Sequence, residues 1–527
     1  MLANGISIVT QRVSRRNWAR LLLPTIADLL FVNFFLFLLF VIGDGLLRDG
    51  DTGYHIRTGE FILRTRTIPK HDIFSFISPP LPWTAHEWLS EVIMALVHQA
   101  FGLTGIVIVF SLVISLTSLL LFQFMRTHKG DILLTVFVVG LVTISASLHW
   151  LARPHIFSLL LTVVWYQILD SYHYKQKNLL CWLPPLMLLW VNLHGGFMFG
   201  FLLLGLYLLG NLAEFIFPKR QTRETAKKKL KLLTSITAVS LLFSFINPFG
   251  YHILLFPFKF TSDSFLMSNV VEFLSPNFHG PLPFKYLFLL TIAVLAVSGA
   301  ALNAVEATLT ILLSYMALYS ARYIPLFAVV MAPILLRQME IIFGKARGNL
   351  IQFIKTRSKN IAAIDQSIRG GLWPVIAIVA VYILATSGYI KYGFDESKMP
   401  VAAVDFLRRE HLKGNMFSDD EFGDYVIYAA WPEYKVFIDG RSDMYGSTWG
   451  GQYLKVVTLQ PDWEKVIEKN NITWVFSSAT SPLSSILLEK KSWHLVYADK
   501  VANIFVKKIS QNHFLVEKYP DVKPVVS

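Results

Sequence analysis

Asp49-Gly-Asp-Thr-Gly-Tyr-His-Ile-Arg-Thr-Gly-Glu60 follows closely on a long apolar run, residues 21–43. The stretch carries carboxylates, an imidazole and a guanidinium beside a lipid boundary. Charged groups that close to hydrocarbon are costly unless they have partners or a task. The run therefore reads as a membrane-spanning helix, and the quoted stretch as a segment held at the membrane surface.

The composition agrees. Of 527 residues, 54% are hydrophobic, 41 are Phe and 16% are charged, with a mean hydropathy of +0.50. A soluble chain of this length carries more charge and less Phe, so the totals describe a polytopic α-helical membrane protein. The formal charge of +13 does not call for nucleic acid, because basic residues concentrate in cytoplasmic loops of membrane proteins. The single cysteine, Cys181, excludes an intrachain disulfide, and no Cys/His zinc spacing occurs.

Upstream of the run lie Arg12, Arg15, Arg16 and Arg20 with no acid, which places the N-terminus in the cytoplasm. The run exceeds a signal-peptide core and ends in no small-x-small site, so it reads as an uncleaved first helix. Downstream, residues 44–88 hold Pro69, Pro79, Pro80 and Pro82, and residues 87–102 read as an amphipathic helix in the interface. Together they make a first outer loop, 44–103.

Further spans are expected at 104–125, 132–149, 156–173, 179–193, 197–217, 233–247, 284–301, 304–320, 323–337 and 373–391, making about eleven transmembrane helices. Counted from a cytoplasmic N-terminus, both dense basic clusters fall inside, as the positive-inside rule requires. One is Lys219, Arg220, Arg223, Lys227, Lys228, Lys229 and Lys231; the other is Lys345, Arg347, Lys355, Arg357, Lys359 and Arg369. The odd count leaves everything after about 392 outside. The chain thus divides into a transmembrane part, 1–392, and an extracytoplasmic α/β domain, 393–527. Strands are expected there at 425–430, 435–439, 472–478, 494–498 and 503–507, with helices at 401–409, 462–469 and 483–489.

Sorting polar residues by side of the membrane isolates the candidate chemistry. Asp51 and His55 are four apart and share a helical face. Such a pair can act as a general base or hold a divalent cation such as Mg²⁺ or Mn²⁺; Asp51 can equally be a helix cap. Asp49 stands beside it. Trp83-Thr-Ala-His-Glu-Trp88 offers His86 and Glu87, the latter a second acid, with tryptophans suited to interfacial anchoring. Arg57, Arg153, His155 and Arg322 are candidates for a phosphate, arginine being suited to bidentate phosphate contact. Arg153 and Arg322 at helix ends also fit simple snorkelling. His194, in Asn192-Leu-His-Gly-Gly196, either lines a cavity or sits in a hairpin turn. Asp439, Arg441 and Asp443 follow an expected strand and read either as a salt-bridged turn or as a loop facing the membrane cavity.

Asp49-Gly-Asp51, Tyr54-His55, Arg57, Gly59, Ile68-Pro69, Asp72 and His86-Glu87-Trp88-Leu89, all after a first transmembrane helix, resemble the GT-C superfamily of membrane glycosyltransferases. That group includes the oligosaccharyltransferase catalytic subunit, protein O-mannosyltransferases and the aminoarabinose transferase. Arg153-Pro-His155, Asn192-Leu-His194-Gly-Gly196, Asn247-Pro-Phe-Gly250 and Phe437-Ile-Asp-Gly-Arg441 are similar to motifs of a related, poorly characterised bacterial group. The resemblance implies a bacterial inner-membrane enzyme that moves a sugar, with inversion, from a polyprenyl-phosphate donor. The acceptor would be an envelope glycan, a lipid or a protein on the outer face. It makes Asp51 the match for the shared catalytic Asp, with Asp49 second. This chain lacks the second acidic motif of the oligosaccharyltransferase kind, which puts a strict metal requirement in doubt. A transporter or an assembly protein for lipid-linked saccharide is the competing class. It would favour broken midplane helices and an internal repeat, and the sequence shows neither.

Overall fold

A computed structural model describes residues 22–128, 130–218 and 222–525. Arg12, Arg15, Arg16, Arg20, Lys219 and Arg220 lie outside the described residues. Every apolar run expected to cross the membrane coincides with a helix. Five are long and apolar enough to cross alone: Ile26–Leu47, Trp88–Arg126, Ile132–His149, Gly195–Ile216 and Ala321–Lys345. Asn349–Ser367 and Leu372–Thr386, bent by 72°, make a sixth if counted as one span. Phe284–Ser298 and Ala304–Tyr319 are apolar but short. A helix of 15 residues rises only about 22 Å, against about 30 Å of hydrocarbon.

The 39-residue helix Trp88–Arg126 breaks at Gly102, where φ is 61° and ψ −157°. Only glycine adopts that conformation at low cost. The amphipathic 87–102 segment and the 104–125 run are therefore two helices meeting at this residue. The first lies on helix Asp51–Thr65, burying Ser90, Glu91, Met94 and Ala95 and leaving Leu96 and Phe101 exposed.

Helix direction sorts the ionisable residues into two ends. Arg153 precedes helix His155–Lys175, and Asp170 lies in its last turns. Arg322 precedes helix Ile324–Lys345, and Arg337 lies two thirds along it. At the far end Arg337 bonds Glu306 (2.7 Å) and lies 3.6 Å from Asp170, which also meets His128 at 2.8 Å. At the near end sit Arg153, His194 and Arg322, beside helix Asp51–Thr65.

The C-terminal region carries a four-stranded sheet: β1 Asn415–Ser418, β2 Ile472–Ser478, β3 Trp493–Ala498 and β4 Ala502–Lys507. Its order is β1-β2-β4-β3, with β1 parallel to β2 and the other pairs antiparallel. Side chains alternate between faces along each strand. Trp474, Phe476, Ile504 and Val506 join one core; Val475 and Phe505 join the other. The first of these cores also contains Phe31, Phe35 and Leu38 of the first apolar helix and Tyr54, Ile56 and Trp83 of the outer loop. One apolar core therefore runs from the first helix through the outer loop into the sheet.

Two expectations for this region are corrected. Residues 425–430 are not a strand but the end of helix Asp420–Ala430. Phe422 to Ile427 are all buried, so this helix is enclosed on every side rather than along one face. Residues 435–439 form no strand; Val436 makes only an isolated bridge to Ser75. The remaining three expected strands and three expected helices are present within one or two residues. Strand β1 and helix Ser442–Val457 were not expected.

Candidate functional site

Helix Asp51–Thr65 starts inside the site. Its N-cap is Gly50, with no side-chain cap, and the Asp51 amide donates to Asp49 Oδ1 at 2.9 Å. The carboxylate of Asp51 does not cap its own helix and is free to act elsewhere. Its Oδ2 accepts from Arg153 Nη2 at 2.7 Å. Arg153 Nη1 reaches Asp49 Oδ2 at 2.8 Å and Glu272 Oε1 at 3.0 Å. The turn that presents Arg153 is tied to the outer loop, since Ala152 N–H donates to Leu46 O at 2.8 Å. One guanidinium thus joins three carboxylates from two loops. Glu272 Oε2 lies 3.5 Å from Arg322 Nη1, and the Arg322 guanidinium covers Phe273 at 5.0 Å. The Arg322 side chain is 35% exposed against 17% for Arg153, so Arg322 is the cation that faces open space.

Asp424 approaches Asp51 from the C-terminal region and hydrogen-bonds its side chain. Gly440 N–H donates to Asp424 Oδ1 (3.0 Å) and Oδ2 (3.2 Å). A Cβ at 440 would collide with Asp51 Oδ1 and meet Asp424 Oδ2, so this close approach needs glycine. Burial pushes the Asp51 carboxyl well up, Arg153 opposes it, and Asp49 and Glu272 add to it. Burial also pushes Asp424 well up, and the Asp51 charge adds to it. Two buried carboxyls in contact do not both ionise. Arg153 sits on Asp51 and favours its charged form, while the Asp51 charge disfavours ionisation of Asp424. Burial works to raise Glu272 too, but the Arg153 and Arg322 guanidiniums outweigh it and hold Glu272 below the usual carboxylate range.

A second polar group lies one turn along the helix. His55 Nδ1 is 3.1 Å from Glu91 Oε1, and His55 Nε2 is 3.5 Å from Glu87 Oε2. Glu87 Oε1 is 3.2 Å from His194 Nε2. The His194 tautomer follows from its other nitrogen. Nδ1 accepts from Gly196 N–H at 2.9 Å and faces Ser158 Oγ at 2.8 Å. Ser158 Oγ in turn accepts from Trp190 Nε1–H at 2.7 Å, leaving its own proton for Nδ1. Nε2 therefore bears the proton and donates to Glu87. Burial pushes His55 and His194 down and Glu87 up, so both rings are held neutral.

The other residues singled out from sequence are placed as follows. The His86 ring lies 4.7 Å from that of Phe256, tilted by 35°, and 3.7 Å from Glu87. His155 Nε2 bonds His149 O at 2.7 Å, next to Arg153. Arg57 points away from Asp51: its Nη1 pairs with Glu60 at 2.5 Å, and its Nε donates to Tyr428 O at 2.7 Å. Asp439 and Arg441 form a buried network. Arg441 Nη2 meets Asp439 Oδ2 at 2.6 Å and Asp72 Oδ1 at 2.7 Å, and the guanidinium lies over Trp83 (4.5 Å) and Phe74 (4.8 Å). Tyr445 OH completes it with a 2.7 Å bond to Asp439. Asp443 is separate from that network; burial pushes its carboxyl up, and nearby His86 opposes this. The expected cation pair Asp51 and His55 share a helix but engage different partners. Among the described residues, His55, Glu87 and Glu91 are the group with metal-ligand spacing.

Three participants were not proposed from sequence. Glu91 had a signal, because it lies four residues after Glu87 on one helical face. Glu272 lies outside every motif singled out from the sequence. Asp424 was hidden by the strand reading of its neighbours.

No family model matches the chain, and no curated protein matches it. The fold has a likeness among solved structures. A solved structure with this fold is the archaeal oligosaccharyltransferase AglB from Archaeoglobus fulgidus, in complex with an inhibitory peptide and a dolichol-phosphate. The likeness has a TM-score of 0.54 at 14% identity and covers 82% of this chain. It covers 65% of that chain, so the present protein spans just under two thirds of its length.

Proposed function

We propose that this protein is a membrane glycosyltransferase. It moves a sugar from a polyprenyl-phosphate donor to an acceptor hydroxyl on the outer face of the bacterial inner membrane. The acceptor belongs to an envelope glycan, a lipid or a protein. In this reading all eleven helical runs are membrane-embedded, the N-terminus is cytoplasmic, and residues 393–527 lie outside. The likeness in fold to AglB and the presence of a lipid phosphate in the AglB complex support the reading.

The observation that carries it is the buried Asp51 carboxyl bridged to Arg153, with Arg322 open beside the same cluster. Asp51 accepts the proton of the acceptor hydroxyl as its oxygen attacks the anomeric carbon. The bond from that carbon to the phosphate oxygen breaks, and the electron pair leaves with the prenyl phosphate. Arg322, with Arg153 behind it, faces the charge that develops on the leaving phosphate. Attack opposite the leaving group inverts the anomeric centre. The test is transfer from a polyprenyl-phosphate sugar by purified Asp51→Asn protein. Loss of transfer with an unchanged elution profile and melting curve is expected. Transfer at the wild-type rate would remove Asp51 from the mechanism.

A further inference from the structure

We propose that His55, Glu87 and Glu91 form a binding site for one divalent transition-metal ion of the zinc or manganese type, distinct from the Arg153 carboxylate cluster. Each residue offers a donor atom, and the three atoms lie within 4.8 Å of one another. His55 Nδ1 is 3.1 Å from Glu91 and His55 Nε2 is 3.5 Å from Glu87, so each carboxylate faces a different ring nitrogen. Two donors each about 2.1 Å from a tetrahedral ion lie about 3.4 Å apart; a single ring nitrogen ligates one ion, so the carboxylate facing the other nitrogen swings toward it as the site closes.

A second observation points the same way. Glu91 is 1% exposed, and its Oε2 is buried with no hydrogen-bond partner. A buried carboxylate oxygen left bare is costly unless something binds it. The supporting shell is also built. His194 Nε2–H donates to Glu87 Oε1, and Ser158 and Gly196 hold His194 in the tautomer that does so. Hydrogen bonds of this kind orient ligating carboxylates. The donor set is one imidazole and two carboxylates, which suits Zn²⁺ or Mn²⁺ better than the oxygen-only preference of Mg²⁺.

An ion there would pin the second turn of helix Asp51–Thr65 to the start of helix Trp88–Arg126, one turn from Asp51. The other cation position in the cluster is already filled, because the Arg153 guanidinium occupies the space among Asp49, Asp51 and Glu272.

The experiment uses the full-length detergent-purified protein, stripped with a chelator and titrated calorimetrically with Zn²⁺, Mn²⁺ or Mg²⁺. One equivalent of Zn²⁺ is expected to bind, with Mn²⁺ also saturable and Mg²⁺ at least about tenfold weaker. Glu91→Gln and His55→Gln should abolish the site. His194→Gln, which touches no ion, should weaken it about 10- to 100-fold through Glu87. X-ray absorption on zinc-loaded wild-type protein should show one imidazole nitrogen with oxygen neighbours, and this readout does not depend on any variant folding. Absence of saturable binding, wild-type affinity in Glu91→Gln, or a spectrum without imidazole would each overturn the proposal and leave a hydrogen-bonded chain from Glu91 to Ser158.

Discussion

Replacing Arg153 with Gln removes the one guanidinium shared by Asp49, Asp51 and Glu272. Breaking a buried ion pair from one side costs about 3–5 kcal/mol, because the opposite charge is left without compensation. Here the three carboxylates retain 10–27% side-chain exposure, which lets water share the burden. Arg322 also stays near Glu272. Both effects favour the lower end, about 3 kcal/mol at pH 7.5. The cost depends on pH in a defined direction. Glu272 is held below the usual carboxylate range by Arg153 and Arg322. Its contribution is therefore complete above its unfolded pKa and lost as pH falls through the folded one. Without Arg153 that contribution shrinks, so the deficit of Arg153→Gln should be greatest near neutrality and narrow below about pH 4.5, where free carboxyls take up protons. Adding Glu272→Gln should recover about 0.5–3 kcal/mol, the usual coupling of contacting groups. The assay is unfolding of wild type, both single variants and the double variant in detergent at about pH 3, 4.5 and 7.5. A deficit in Arg153→Gln that is absent, independent of pH, or additive with Glu272→Gln would refute the counter-ion role.

Other outcomes are specific. Transfer activity should fall on the acid side as Asp51 is protonated, with the limb above the usual carboxylate range because burial raises that group; Asp424→Ala removes the side chain that hydrogen-bonds Asp51 and should move the limb to higher pH in a pH–rate profile. Gly440→Ala places a methyl against Asp51 and Asp424 and should cost about 1–3 kcal/mol together with most of the transfer activity, measured by melting and turnover. Arg441→Met should destabilise by about 3–5 kcal/mol by stranding Asp72 and Asp439, detectable as loss of folded protein on gel filtration. Asp51→Asn should lower transfer about 10²- to 10⁴-fold at unchanged stability.

The helices were legible because long apolar runs have one reading in a membrane, and Gly102 falls where the amphipathic segment hands over to the crossing run. Glycine and charge mark such boundaries locally. The sheet was harder. Tyr425-Val-Ile-Tyr428 has strong strand propensity, yet the segment is helical, with Tyr425, Val426 and Ile427 all packed into the core shared with the outer loop; tertiary packing overrode local preference. Strand β1 is four residues long, too short to show alternation. At the site, local spacing found Asp49, Asp51, His55 and Glu87. The partnership of Asp51 with Arg153, and the addition of Glu272 and Asp424, depend on which loops meet in space. No single-sequence pattern carries that information. The Phe437-Ile-Asp-Gly-Arg441 motif was visible as a pattern, but its division of labour was not: Arg441 builds a structural network while Gly440 makes room for Asp51.

The core shared by the first helix, the outer loop and the sheet has a consequence for biosynthesis. Asp51 leaves the ribosome early, whereas Asp424 and Gly440 emerge long afterwards. Until they arrive, the carboxylate lacks the neighbour that hydrogen-bonds it and part of the enclosure that raises its affinity for a proton. A nascent chain already threaded into the bilayer can pair Asp51 with Arg153 but leaves its other side open. Competence is acquired only when the late segment closes over it, so incomplete chains carry the right residues without the environment that makes one of them a base.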